Sequence, residues 1–211
     1  MKMTLGTTAL AAVVLAAPGP RTMAPPVVDS PAMALHDAMR KLWIDHVAWT
    51  RMYIISAAAG LPDAKPTTDR LLQNQADIGN AVAGYYGAEA GTKLTALLKD
   101  HILQAAELVT ASKAGDQAKA GDAKTRWYRN ADEIAVFLAA ANPTHWPVET
   151  LKSAMKTHLD QTLEEASDRI QGKYDEDIKD YDEIVAHILT MADLLSSGIV
   201  KQFPEKFPSK P

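Results

Sequence analysis

The chain has 211 residues, 47% of them hydrophobic and 23% charged, with a net charge of −4 and no cysteine. That suits one domain with a sizeable core, and the mildly acidic balance argues against a surface that tracks nucleic-acid phosphates. The missing cysteine excludes disulfides, thiolate metal sites, lipid attachment at a cysteine and covalently held c-type haem, so packing must supply the stability.

Lys2 followed by the apolar run Thr8–Ala17 has the layout of a secretory signal peptide, and the run is too short to cross a bilayer. We therefore expect residues 1–24 to be a signal peptide and 25–31 a proline-rich linker, with no transmembrane segment in the mature chain. Residues 32–207 form one helical domain on this reading, 208–211 are a tail, and the protein is exported, to a periplasmic, cell-envelope or secreted location.

Ser30 can cap a helix that has Pro31 at its first position. Leu35, Met39, Leu42, His46, Trp49, Tyr53 and Ser56 then recur at alternating spacings of four and three, which is one helical face ending at Gly60. A second helix is expected from about Thr67–Asp69, carrying Leu71, Gln75, Ile78, Val82 and Tyr85, with Gly87 and Gly91 as breaks. A third runs to about Ala114 through Leu94, Leu97, His101, Ala105 and Leu108. Turns are expected at Gly115–Asp116 and Gly121–Asp122. The fourth helix carries Ala123, Trp127, Asn130, Ile134, Phe137 and Ala141. Pro147 opens the fifth, with Leu151, Met155, His158, Thr162, Ala166 and Ile170. After Gly172 the last helix holds Tyr181, Ile184, Ile188, Met191, Leu195 and Gly198, and the Phe203–Phe207 tail is expected to fold back. No alternating β-branched run is long enough for a strand. Short loops between long helices predict an all-α, up-and-down bundle of five to six helices with a four-helix-bundle-like core.

Polar residues interrupt these apolar stripes near mid-helix: His46, His101, Asn130, His158 and His187, with Asn74 and Asp77 on the second helix. Antiparallel helices of similar length bring their midpoints to one height, so these residues should meet in one layer. Two readings of that layer stand side by side. It can be a closed hydrogen-bond network, as buried polar groups usually are. It can also be a site for a divalent transition metal (Zn, Cu, Ni or Fe), with His46, His101, His158 and His187 as imidazole ligands and Asp77 as the carboxylate. A small polar ligand is a third occupant, with Asn74, Asn130 and Arg51 lining it. Arg51 would then neutralise Asp77 or a bound anion, unless it simply faces solvent. The leading function is thus an exported binding protein for a metal ion or small polar ligand. The alternatives are a metal-dependent enzyme and a structural or interaction module. No Glu-x-x-His pair, HExxH, GxSxG or P-loop is present. The acidic stretch Tyr174–Asp182 reads as a solvated helix start.

The segments LWIDHVAWTR (42–51), RLLQNQADIGNAV (70–82), LLKDHI (97–102), RWYRNADEIAVFLAAANP (126–143) and HILTMADLLSSGIVKQFPEKF (187–207) resemble an exported, all-helical bacterial family of uncharacterised activity. Its members sometimes carry the labels glycosyltransferase or acetylglutamate kinase. Both chemistries generally rest on an α/β sheet with glycine-rich phosphate loops, and this sequence holds no such strands. The resemblance implies a single exported domain and no particular activity.

Overall fold

The computed structural model describes residues 30–208. The expected signal peptide and all but the end of the linker lie outside the described residues. Six α-helices follow one another: α1 (Pro31–Ala59), α2 (Ala64–Tyr86), α3 (Ala88–Lys113), α4 (Gln117–Ala141), α5 (Val148–Gln171) and α6 (Tyr174–Gln202), with a short 3-10 turn at Pro204–Lys206. No strand occurs among the described residues.

The helix ends follow local chemistry. The Ser30 hydroxyl accepts the Met33 N–H at 3.2 Å, and Pro31 occupies the first turn, where its missing N–H costs nothing. Gly60 and Gly172 close α1 and α5 at φ of 69° and 77°, a left-handed conformation that other residues reach only with strain. Asp116 caps α4 through Lys119 N–H at 3.0 Å.

Three expected boundaries move. Helix α2 begins at Ala64, one turn before Thr67, because Pro66 is tolerated within a first turn. Gly91 breaks nothing: it lies inside α3, and only Gly87 separates α2 from α3. A Cβ on Gly91 would stand 2.6 Å from the Gly79 carbonyl oxygen and 2.6 Å from Ala83 Cβ. The glycine there serves the close approach of two helices. Gly121 likewise lies within α4, leaving Gly115–Asp116 as the turn.

Each helix packs on the next and α6 returns to α1, which makes an up-and-down bundle closed into a ring. The odd helices α1, α3 and α5 also touch one another. They run parallel and meet at the centre, so the molecule is three αα-hairpins with their first helices innermost. The core includes Met39, Trp43, Ile78, Leu98, Ile134, Leu159, Ile188 and Leu195. By length and composition α6 is the one described helix apolar enough to cross a membrane. Its residues Ile184, Ile188, Ala192, Leu195 and Ile199 are buried within the bundle. The C-terminal tail folds back as expected, Phe207 stacking on Tyr85 with ring centroids 5.8 Å apart.

Candidate functional site: a buried histidine layer

Each inner helix contributes one imidazole to the centre. His46 of α1, His101 of α3 and His158 of α5 are 3%, 2% and 3% exposed. The His46 and His158 Nε2 atoms lie 3.4 Å apart, and the His101 and His158 rings stack with centroids 6.4 Å apart.

The outer helices supply the partners, at a repeated spacing. Gln75 of α2 follows His46 by 29 residues, and Asn130 of α4 follows His101 by 29. His187 of α6 follows His158 by the same interval. A second repeat underlies the first. The side chains of Asn74, Asn130 and His187 donate to the carbonyls of Leu42, Leu97 and Ala154 at 3.1, 3.2 and 2.9 Å. Each of those carbonyls sits one helical turn before the hairpin's central histidine. The three hairpins are therefore clasped in the same way at the same height.

Neighbours fix the tautomers. The Trp127 indole N–H can only donate, and it meets His101 Nε2 at 3.1 Å. His101 thus carries its proton on Nδ1 and donates it to Asn130 Oδ1 at 2.9 Å. The Gln75 amide N–H donates to His46 Nδ1 at 3.2 Å as well as to the Leu71 carbonyl at 2.9 Å. Turning that amide over would set its oxygen against a carbonyl, so His46 Nδ1 is the acceptor and Nε2 holds the proton. That proton is offered to His158 Nε2, which leaves His158 protonated at Nδ1. All three rings are neutral. Burial pushes His46 down to about 3 and His101 down to about 4, and it holds His158 well below the usual histidine range.

Three buried polar atoms on side chains that contact His46 have no partner among the described residues: Trp43 Nε1, Gln75 Oε1 and His158 Nδ1. Trp43 lies edge-on to His46, with ring centroids 5.7 Å apart.

The remaining candidates sort clearly. Asn74 and Asn130 belong to the layer. His187 sits at its rim, partly exposed, with Nε2–H on a backbone carbonyl. Asp77 is absent from the layer: it is half-exposed, accepts from Gln73 Nε2 at 3.2 Å and lies 4.0 Å from Arg70. The buried stripe of α2 runs through Leu71, Gln75, Ile78 and Val82. Asn74 marks its edge, and Asp77 lies about 60° further round. Among the described residues no group of three His, Cys, Asp or Glu side chains is arranged to hold a metal ion.

Arg51 neither reaches Asp77 nor faces solvent. It bonds Glu165 at 2.7 Å and Asp177 at 2.8 Å, and its guanidinium lies 4.8 Å from the centre of the Tyr181 ring. Arg169 adds a contact to Asp177 at 3.3 Å. Glu165 and Asp177 are 1% and 0% exposed, so the acidic stretch beginning at Tyr174 is not wholly solvated. Burial pushes the Glu165 carboxyl up to about 7, with the Arg51 guanidinium pulling the other way. This network ties α1, α5 and α6 together below the histidines. Glu165, seven residues after His158, lies on the same helical face and was legible there. The 29-residue interval was legible too, and it identifies Gln75.

Comparisons with family models, with curated proteins and with solved structures return no match.

Proposed function

We propose that this chain is an exported helical-bundle module, structural or interactive in role, whose histidine layer is a hydrogen-bond network that sets the register of three hairpins. The observation that carries this reading is His101, whose two ring nitrogens are both engaged, one by Trp127 and the other by Asn130. His46 is engaged at both nitrogens as well. A nitrogen that already accepts an N–H has no lone pair to offer a metal ion. Buried networks of this kind favour one packing arrangement over its alternatives.

A second reading rests on a separate observation. Trp43 Nε1, Gln75 Oε1 and His158 Nδ1, unpaired among the described residues, are two donors and one acceptor on side chains that contact His46. A small polar guest bonded to any of them would satisfy a group that the network leaves unpaired.

The experiment is a thermal melt of the metal-stripped protein at pH 7.5, with and without Zn, Cu, Ni or Fe, alongside His46→Ala. Under the network reading no metal moves the wild-type melt, and the variant is destabilised equally in every condition. A metal-dependent gain that the variant loses would replace the network with a metal-binding function, since a ligand of the folded state raises its stability by mass action. A bound small molecule in the native mass spectrum would favour the polar guest.

A further inference from the structure

We propose that the histidine layer is an acid-operated latch: protons entering it force the bundle open at its centre. The inference rests on the network reading and follows from the roles of individual nitrogens. His101 Nε2 accepts from Trp127, His46 Nδ1 accepts from Gln75, and His158 Nε2 accepts from His46. Protonating any of these rings turns an acceptor into a donor aimed at another donor. The hydrogen bond becomes a repulsion in a place where water cannot intervene.

Nothing near the layer can absorb the charge. The titratable groups facing His158 are His46 from α1, His101 from α3 and His187 from α6, each of which disfavours its protonation. Helices α2 and α4 bring Asn74, Gln75, Trp127 and Asn130, none of which titrates in this range. The nearest sequence candidate for a counter-charge, Asp77, lies on the outer surface of α2. The buried acids Glu165 and Asp177 are already matched to Arg51 and Arg169.

Position makes this a latch. The three imidazoles are where the inner helices of all three hairpins meet, so charge there loosens every hairpin interface at once. Two of the acceptor contacts, Gln75–His46 and Trp127–His101, lie within a hairpin, and the third, His46–His158, joins one hairpin to another. Protonation therefore strains contacts within two hairpins and between two, and the faces uncovered on opening are those carrying Trp43, Ile78, Leu98, Ile134 and Ile188. Three acceptor rings that charge only on opening make the layer's contribution steep, about a thousandfold in the opening equilibrium per pH unit.

The test is an acid titration of the full chain from pH 7.5 to 3.5. It is followed by tryptophan fluorescence and by binding of a dye that reports exposed apolar surface, with far-ultraviolet circular dichroism in parallel. The expected result is a cooperative transition below pH 6 in which dye binding and fluorescence change while most helicity remains. His101→Gln and His46→Gln should each lower the proton uptake of the transition by about one. Where a variant does not fold at pH 7.5, the wild-type imidazole resonances decide: the latch requires all three to stay neutral until the transition itself. Independent titration of these resonances near the ordinary histidine value in the folded state would overturn the proposal. So would a transition whose steepness is unchanged in both glutamine variants. A metal-induced stabilisation at pH 7.5 would instead overturn the network reading beneath it, so the two failures are distinguishable.

Discussion

The Trp127 indole N–H points at His101 Nε2 from 3.1 Å, and this contact decides which nitrogen of the ring carries the proton. Nitrogen-15 chemical shifts should show His101 as the Nδ1–H tautomer. Trp127→Phe leaves Nε2 buried without a donor, and urea unfolding at pH 7.5 should show a loss of about 1–3 kcal/mol from that unpaired acceptor alone. An Nε2–H signal for His101 would contradict the geometry.

Stability should fall with acid. The layer's rings are held below the unfolded histidine value of about 6.5, so the unfolded chain takes up protons that the folded chain refuses. The stability they give is complete above that value. It is lost as pH falls toward 4, at about 1.4 kcal/mol per pH unit for each ring. Glu165 acts in the opposite sense. Its folded value, raised to about 7, means that its contribution is present below the usual carboxylate range and lost as pH rises through 7. Glu165→Gln should therefore steepen the acid loss between about pH 4.5 and 6.5. A shallower curve in that variant would show the carboxylate to be ionised throughout.

Removing Arg51 should cost far more than removing a surface cation. Arg51→Ala strands Glu165 and leaves Asp177 with Arg169 alone, both carboxylates being almost wholly buried, and about 3–5 kcal/mol is expected. Lys41 pairs with Asp45 in solvent, and Lys41→Ala should change stability by no more than about 1 kcal/mol. Denaturant midpoints of the two variants, measured together, make the comparison. Equal losses would mean that Glu165 and Asp177 are stable without their cation.

Two helical glycines should respond with opposite signs to alanine. Gly91→Ala forces a Cβ against the Gly79 carbonyl and Ala83, and it should destabilise by about 1–3 kcal/mol. Gly121, inside α4, has nothing within 4 Å of its would-be Cβ, and Gly121→Ala should stabilise by about 0.4–1 kcal/mol. A gain at Gly91 as large as that at Gly121 would show that helix propensity, not the α2–α3 crossing, governs both.

The periodicity of apolar residues carried the fold class. Runs such as Leu35–Met39–Leu42–His46 and Ala123–Trp127–Asn130–Ile134 have a helical period, and six of them joined by short turns leave an up-and-down bundle as the economical packing. The same periodicity carried His46, His101 and His158 inward. A polar residue on a buried stripe is buried wherever that helix packs. Periodicity does not measure how wide a stripe is, and there the reading of α2 failed. Asn74 and Asp77 are neighbours in projection, yet the edge of the buried face runs between them. Glycine was ambiguous for a similar reason, since Gly87 ends a helix while Gly91 lets two helices touch.

Tertiary structure alone decided what the polar residues do. The tautomer of His101 depends on Trp127, 26 residues away, and Arg51 finds its carboxylates 114 and 126 residues along the chain. A single sequence records which side chains can donate or accept and which face of a helix they share. It does not record which donor reaches which acceptor, because that is set by the rotation and height of separate helices against one another. For the histidine layer, this is what favours a hydrogen-bond network over a set of metal ligands.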